Sequence, residues 1–146
     1  MIHAEKLQIG DWVKYTNPPY IQVASITKKK IGYHIEPNES RMHYVRLCEV
    51  EPIPITAELL EKNGFSERTD VNGYTIYQHS VYAGDGYCII GVRDYDSSVG
   101  EWGIEVITYD KFRDAGQKVA LERDFYNVHH LQHVLRLCGI NKTIEP

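Results

Sequence analysis

The feature that most constrains the fold is a series of short β-prone runs, each closed by a turn signal within a few residues. The first 50 residues contain four of them, at residues 7–15, 20–26, 31–35 and 43–50. The clearest turns between them are Asn17-Pro18-Pro19 and the segment 37–40. Short strands with closely spaced turns predict an antiparallel meander. We expect it to curl into a small barrel-like unit, because a flat sheet of this size would leave its edges open.

Two prolines interrupt this pattern. Pro52 and Pro54 each remove a backbone donor and restrict the preceding residue, so the segment 51–55 is neither helix nor central strand. It predicts a seam between two subdomains of one domain spanning residues 1–146. A short helix over residues 56–64 should follow, because Thr56 suits the N-cap and Gly64 suits the left-handed position after the last turn.

The remainder of the chain returns to strands and then ends in a helix. Further antiparallel strands are predicted at 74–77, 87–92, 103–107 and 117–125. Residues 127–138 predict an amphipathic helix, whose apolar stripe and polar face are read from a period of about 100° per residue. The stripe contains Val128, Leu131, Val134, Leu135 and Cys138, and the polar face contains His129, Gln132, His133 and Arg136. The predicted fold class is therefore α+β.

Composition and charge exclude several classes of protein. The 146 residues carry a net charge of −4, so nothing in the total favours bulk attraction to nucleic acid or an anionic membrane. The three cysteines are far apart, form no CxxC pair and lie in apolar runs, which is typical of buried free thiols in a reducing compartment. No secretory core follows Met1 and no apolar run could span a bilayer. We expect a cytoplasmic protein.

The sequence shows no convincing catalytic or metal-binding set. His129 and His133 are four residues apart on the predicted helix and are the candidates for metal ligands, although solvent-facing imidazoles explain them more simply. The segment 94–100 with Glu105 resembles half of a calcium loop but lacks its glycine, which favours an acidic turn. Cys88, with His79 as a base, is better explained as a buried thiol. The sequence therefore favours a non-catalytic protein over an enzyme, and we expect no cofactor.

Three motifs follow one another along the chain. They are formed by Ile9, Gly10, Trp12 and Val13; then by Pro52 to Thr56, Leu59, Leu60, Gly64 and Phe65; then by Val128, His129, Leu131, Gln132 and Gly139. Together they resemble a family of small phage and prophage proteins of Bacteroides-type bacteria. That family has a Leu-x-Ile-Gly-Asn-Trp-Val-like start, a Pro-Ile-Pro-Leu-Thr helix entry and a Val-His-Gln-Leu-Gln helix near the C-terminus.

The resemblance covers the two ends, about half of the chain. His130 and His133 replace amides of the family pattern, the segment 134–137 replaces an aromatic stretch, and the region 67–114 matches nothing. The resemblance implies a phage origin, a shared scaffold and the cytoplasm of the host cell, but it carries no activity.

The surface residues leave three hypotheses open. The first is a non-catalytic module that binds a host or phage protein, because exposed tyrosines and arginine are typical of contact surfaces; a homodimer through an uncovered strand edge is left undecided. The second is nucleic-acid binding by a small barrel, and the third is binding or sequestration of a small nucleotide. The candidate binding residues are Trp12, Tyr15, Tyr20, Lys28, Lys29, Lys30, Tyr95 and Trp102.

Overall fold

The protein is an α+β structure, seen here in a computed structural model that describes residues 2–83, 86–96, 101–109, 117–125 and 127–146. The chain divides into two compact units. The first contains Met1–Ile53, Asn127–His129 and Glu145–Pro146, and the second contains Pro54–Tyr126 and His130–Ile144. The boundary after Ile53 lies inside the proline-containing segment 51–55.

The first unit contains five short strands in two sheets. Strands β1 (Trp12–Lys14) and β2 (Tyr20–Gln22) form one hairpin, and β3 (Ser25–Ile26), β4 (Lys30–Tyr33) and β5 (His43–Arg46) form a three-stranded antiparallel sheet. Short 3₁₀ helices occupy Ala4–Lys6 and Leu47–Glu49. The predicted meander is confirmed, but these described strands do not close into a barrel.

The change of sheet occurs between two adjacent residues. Val23 donates its N–H to Asp11 O and accepts from Gly10 N, whereas Ala24 donates to Gly32 O in the other sheet. This divides the predicted strand 20–26 into β2 and β3. The first unit packs around buried apolar residues of every strand except β3; the most buried are Val13, Ile21, Val23, Ile31, Val45 and Val50.

The second unit begins with the predicted short helix. Helix α1 spans Ala57–Lys62, and Thr56 Oγ1 caps it by accepting the Leu59 N–H at 3.2 Å. Gly64 has a φ of 81°, and the Phe65 N–H donates to Leu60 O while the Gly64 N–H donates to Glu61 O. These two bonds are the Schellman arrangement that ends a helix at a left-handed glycine.

A five-stranded antiparallel sheet forms the body of the second unit. Its order is β10 (Gln117–Phe125), β9 (Glu101–Tyr109), β8 (Gly86–Asp96), β7 (Thr75–Ala83) and β6 (Ser66–Thr69). All four predicted strands are present, and those of β7, β8 and β9 are longer than predicted. The edge strand β6 was not predicted because its four residues are all exposed and show no apolar alternation.

The closing helix α2 spans Val128–Leu137 and ends in a second Schellman arrangement at Gly139, whose φ is 70°. Four of the five residues of its apolar stripe are buried as predicted, and the fifth, Cys138, is partly buried. However, His129 and Gln132 are only 3% and 5% exposed, so the prediction that His129 points away from the core is wrong. The apolar stripe does not account for all the buried residues of α2. Residues of α2 belong to both units, and the segment after the helix forms two hydrogen bonds with Gln132.

Within the described ranges, no helix has the length and apolar character needed to cross a membrane.

Candidate functional site

Trp102 lies in the core rather than on a surface. It is 2% exposed, and its ring centroid is 5.9 Å from that of the buried Tyr77. Burial also raises the pKa of the Tyr77 hydroxyl. The hypothesis that Trp102 contributes to a binding surface is therefore corrected: alternation along β9 directs its side chain to the same face as the buried Ile104 and Val106.

Two of the three aromatic candidates of the first unit, Trp12 and Tyr20, share a surface. In the β1–β2 hairpin, Trp12 is opposite Gln22 and Lys14 is opposite Tyr20, so these four side chains lie on one face while Val13 and Ile21 enter the core. Trp12 and Tyr20 also line a groove of about 550 Å³ whose other walls include Pro18, Pro37, His34 and Ile35. The part of the chain that the structure describes contributes no lysine or arginine to the lining of this groove.

The remaining candidates of the first unit lie elsewhere. Tyr15 packs near Tyr33, with a centroid separation of 6.2 Å, and burial raises the pKa of Tyr33. Lys28 and Lys29 form the β3–β4 turn and line a different cavity, while Lys30 begins β4. The aromatic side chains and the lysines of the nucleic-acid hypothesis are therefore not gathered at one concavity.

The histidine pair of α2 does not form part of a metal cluster in the described part of the chain. His129 is buried and His133 is half-buried, and no group of three His, Cys, Asp or Glu residues in that part is placed to hold a metal ion. The calcium-like segment is divided by the fold: Asp94 and Asp96 belong to β8, Glu105 belongs to β9, and residues 97–100 lie outside the described residues.

The three cysteines differ more than their apolar sequence contexts suggest. Cys88 is buried, and desolvation raises the pKa of its thiol. Cys138 is partly buried, and its pKa is raised first by desolvation and then by Cys88. Cys48 is exposed, which corrects the expectation that all three thiols are buried. A thiol like Cys88, with a raised pKa, is a poor nucleophile.

The most distinctive surface of the molecule is the outward face of β7, β8 and β9. The buried residues of these strands alternate with outward ones, and the strand register aligns the outward residues in rows. We call this surface the tyrosine face. Its rows are Tyr82, Tyr87 and Tyr109; Ser80, Ile89 and Ile107; Gln78, Gly91 and Glu105; and Ile76, Arg93 and Gly103.

The first row is aromatic and partly open to solvent. Tyr82 and Tyr87 are 89% and 40% exposed. Tyr87 stacks on Tyr109 with a centroid distance of 4.6 Å and an interplanar angle of 9°. Rings stacked in this way present a rigid, amphipathic contact area at low cost in conformational entropy.

A shallow hollow of about 60 Å³ lies at the centre of the tyrosine face. Gly91 forms its floor, and Ile76, Ile89 and Ile107 supply apolar walls. Because a glycine has no side chain, the depression exists where a larger residue would fill it. A Cβ built on Gly91 would lie 3.5 Å from Ile76 Cγ2 and 3.8 Å from Glu105 O. Both are ordinary contact distances, so steric clash does not require a glycine at this position.

Arg93 fixes the polar side of this hollow. Its guanidinium carbon lies 5.7 Å from the Tyr74 ring centroid and 5.9 Å from that of Tyr95, and its Nη2 is 3.0 Å from Asp70 Oδ2. Tyr95 in turn lies over Gly103. The predicted candidate Tyr95 thus belongs to the tyrosine face, where it helps to hold an arginine in place.

The lining of this hollow is mainly apolar. Glu105 and Arg93 both line the hollow, and the remaining lining is apolar apart from Gln78. Of the residues around this hollow, the candidates chosen from the sequence include Tyr95 but neither Gly91 nor the three isoleucines. The signal was present as alternation within β7–β9, but the register that brings the isoleucines together depends on strand pairing.

Comparisons with protein-family models, with curated proteins and with solved structures give no match to this chain.

Proposed function

We propose that this chain is a non-catalytic binding module that attaches to a host or phage protein through the tyrosine face. The single observation that carries the proposal is the hollow over Gly91, walled by three isoleucines and lined by Arg93 and Glu105. The phage context belongs to the proposal and rests on the three sequence motifs described above.

The composition of the face supports a protein partner. Tyrosine and arginine are enriched among the residues that dominate binding energy, and such residues cluster around small pockets that take an anchor from the partner. Here Tyr87 and Tyr109 border one side and Arg93 borders the other. A hollow of about 60 Å³ suits one apolar side chain of the partner rather than a free metabolite.

The charges of the hollow support specificity. Arg93 is held by Asp70 and by two tyrosine rings, so its guanidinium is already positioned before a partner arrives. Glu105 also lines the hollow, from the neighbouring strand β9, where it pairs with Gly91. A partner that fits places an apolar residue in the hollow, an acidic group beside Arg93 and a basic group beside Glu105. A partner with a basic group beside Arg93 or an acidic group beside Glu105 is rejected, because like charges repel.

The test is affinity capture from a lysate of a Bacteroides-type host with the wild-type chain and with Gly91→Val. Valine fills the hollow with a residue that strands favour, and we expect it to weaken retention of the partner about tenfold or more, as loss of an interface hot spot does. Val71→Ala is the control, because Val71 is fully exposed and lies outside the tyrosine face.

Two results would contradict this proposal. One is a partner retained equally by wild type and Gly91→Val when both are folded by circular dichroism. The other is a concentration-dependent dimer in light scattering that Gly91→Val abolishes, because the occupant of the face would then be a second copy of the chain.

The β1–β2 hairpin favours nucleic-acid binding as an alternative. Trp12, Lys14 and Tyr20 share its outward face, and aromatic rings beside a cation suit stacked, single-stranded bases. A mobility shift with single-stranded DNA and RNA at low salt tests it, with Trp12→Ala as the variant. Complete absence of a shift for both nucleic acids would remove this alternative.

A further inference from the structure

A cavity of about 320 Å³ in the first unit gathers residues from three separate segments. Its lining comes from the N-terminal segment, from the β3–β4 turn and from the end of β5. We call it the basic cavity. It is lined by Ile2, His3, Ala4, Lys28, Lys29, Arg46, Leu47 and Cys48.

The basic cavity is cationic in a chain whose net charge is −4. Lys28, Lys29 and Arg46 supply three positively charged side chains at neutral pH, and His3 adds an imidazole. Arg46 Nη2 lies 3.2 Å from Glu49 Oε1, which offsets one of these charges. Among the described residues, no carboxylate lies within ion-pairing distance of the ammonium groups of Lys28 or Lys29.

The two lysines are presented by a fixed turn. Thr27 Oγ1 donates to Lys30 O at 2.9 Å and accepts the Lys30 N–H at 3.0 Å. The Leu47 N–H donates to Lys29 O at 3.0 Å, which ties the turn to the end of β5. These hydrogen bonds therefore fix the backbone of the turn that carries both lysines beside the cavity.

The floor of the cavity is apolar. Ile2 and Leu47 are 6% and 8% exposed and belong to the core of the first unit. A ligand that fits this cavity therefore combines an anionic group, which meets Lys28 and Lys29, with a less polar body that covers the floor. The volume is at the lower end of the range for small-molecule sites and suits a ligand of mononucleotide size.

We propose that the basic cavity binds a small phosphate-bearing ligand of mononucleotide size. This site is separate from the tyrosine face, and its residues all belong to the first unit. Phosphate is the anion that several convergent cations recognise best, because its oxygens accept hydrogen bonds from lysine and arginine at once.

Isothermal titration at low ionic strength tests the proposal with ATP, AMP and inorganic phosphate as probes. ATP and AMP should bind more tightly than inorganic phosphate, since only they also cover Ile2 and Leu47. Lys28→Ala and Lys29→Ala should each weaken ATP binding about fivefold, and the affinity should fall as salt is added.

Lys6→Ala is the matched control, because it removes the same charge from the same unit at an exposed residue that does not line the cavity. An equal loss for Lys6→Ala would overturn the proposal, since attraction to net charge would then explain binding. Absence of binding for all three probes at millimolar concentration would also overturn it, as would binding of oligonucleotides alone.

Protection of Cys48 gives a second readout in the wild-type chain. Its exposed thiol lines the cavity, so bound ATP should slow its reaction with a thiol reagent at least threefold, whereas the Lys28→Ala/Lys29→Ala variant should show no protection. Gly91→Val should leave this protection unchanged. A negative capture experiment therefore contradicts only the proposal for the tyrosine face, and absence of Cys48 protection contradicts only the proposal for the basic cavity.

Discussion

The backbone N–H of Ile144 donates a hydrogen bond of 2.9 Å to Gln132 Oε1, although twelve residues separate them. The amide nitrogen of the same side chain donates to Lys142 O at 2.7 Å. Gln132 therefore uses both ends of its amide to hold the segment after α2, where Ile140 and Ile144 are buried. The side chain of Gln132 thus satisfies backbone groups of Lys142 and Ile144 that, in a sheet, a neighbouring strand would satisfy.

Replacing Gln132 with leucine should lower the free energy of unfolding by about 2–3 kcal/mol, because a buried N–H and a carbonyl lose their partners. Urea unfolding followed by circular dichroism measures this change. Gln22→Leu is the control, since Gln22 is exposed and makes one 3.2 Å bond to Gly10 O. Equal losses for the two variants would show that the Gln132 clamp contributes nothing specific.

Two glycines of the sheet should respond oppositely to alanine. Gly91→Ala should leave stability unchanged or raise it by up to about 1 kcal/mol, because the added methyl meets its neighbours at ordinary contact distances and alanine restricts the unfolded chain. Gly103→Ala should cost about 1–3 kcal/mol, because its Cβ would overlap the Tyr95 ring.

The comparison has an internal control. In a Tyr95→Ala background, Gly103→Ala should lower the free energy of unfolding much less. Thermal unfolding of the wild type, the two single variants and the double variant gives the coupling between the two positions. A Gly103→Ala cost that is the same with and without the Tyr95 ring would contradict the packing of that ring on Gly103.

One thiol of the three should react rapidly with a thiol reagent in the native protein. Cys48 is exposed, whereas Cys88 and Cys138 are shielded and have raised pKa values that reduce their thiolate fraction. Absorbance at pH 8 should show one fast equivalent, and Cys48→Ser should abolish it. Persistence of a fast phase in Cys48→Ser would mean that another thiol is accessible.

Glu39 should add to stability above pH 4.5 and lose that contribution in acid. Its hydrogen bond to His43, 3.1 Å from Oε1 to Nε2, is the main cause that lowers the pKa of Glu39 below its ordinary value of 4.5. A carboxyl whose folded pKa is depressed stabilises the fold above the unfolded pKa, and this stabilisation disappears as the pH falls through the folded pKa.

Glu39→Gln removes this titration, so its free energy of unfolding should decline less than that of the wild type between pH 5 and more acidic conditions. Urea midpoints measured across that range provide the comparison. Glu36→Gln serves as the control, because Glu36 is an exposed neighbour. Parallel acid declines in wild type and Glu39→Gln would contradict a role for the Glu39–His43 pair.

Local signals predicted much of the fold because their causes are local. Thr56 and Gly64 bracket α1, and Gly139 ends α2, since capping depends on a few adjacent residues. The edge strand β6 escaped prediction because pairing with β7, rather than apolar alternation, defines it. The meander was predicted, but the sequence did not show that its described strands stay open, because the change of hydrogen-bond partner at Val23–Ala24 depends on contacts with distant residues.

For the candidate site, the sequence identified the tyrosines and lysines but not their grouping. Trp102 and Tyr95 are seven residues apart, yet alternation and pairing place the first in the core and the second on the tyrosine face. Similarly, Lys28 and Lys29 line one cavity together with Ile2 and Arg46, and only folding brings these residues together.

The sequence by itself determined the α+β class and the approximate limits of both helices, because periodicity and capping act over a few residues. Only the tertiary structure decided which side chains meet: the hollow over Gly91, the basic cavity, and the burial of His129 and Gln132. These depend on strand register and on the return of the chain over α2, and both are set by contacts between residues far apart in sequence.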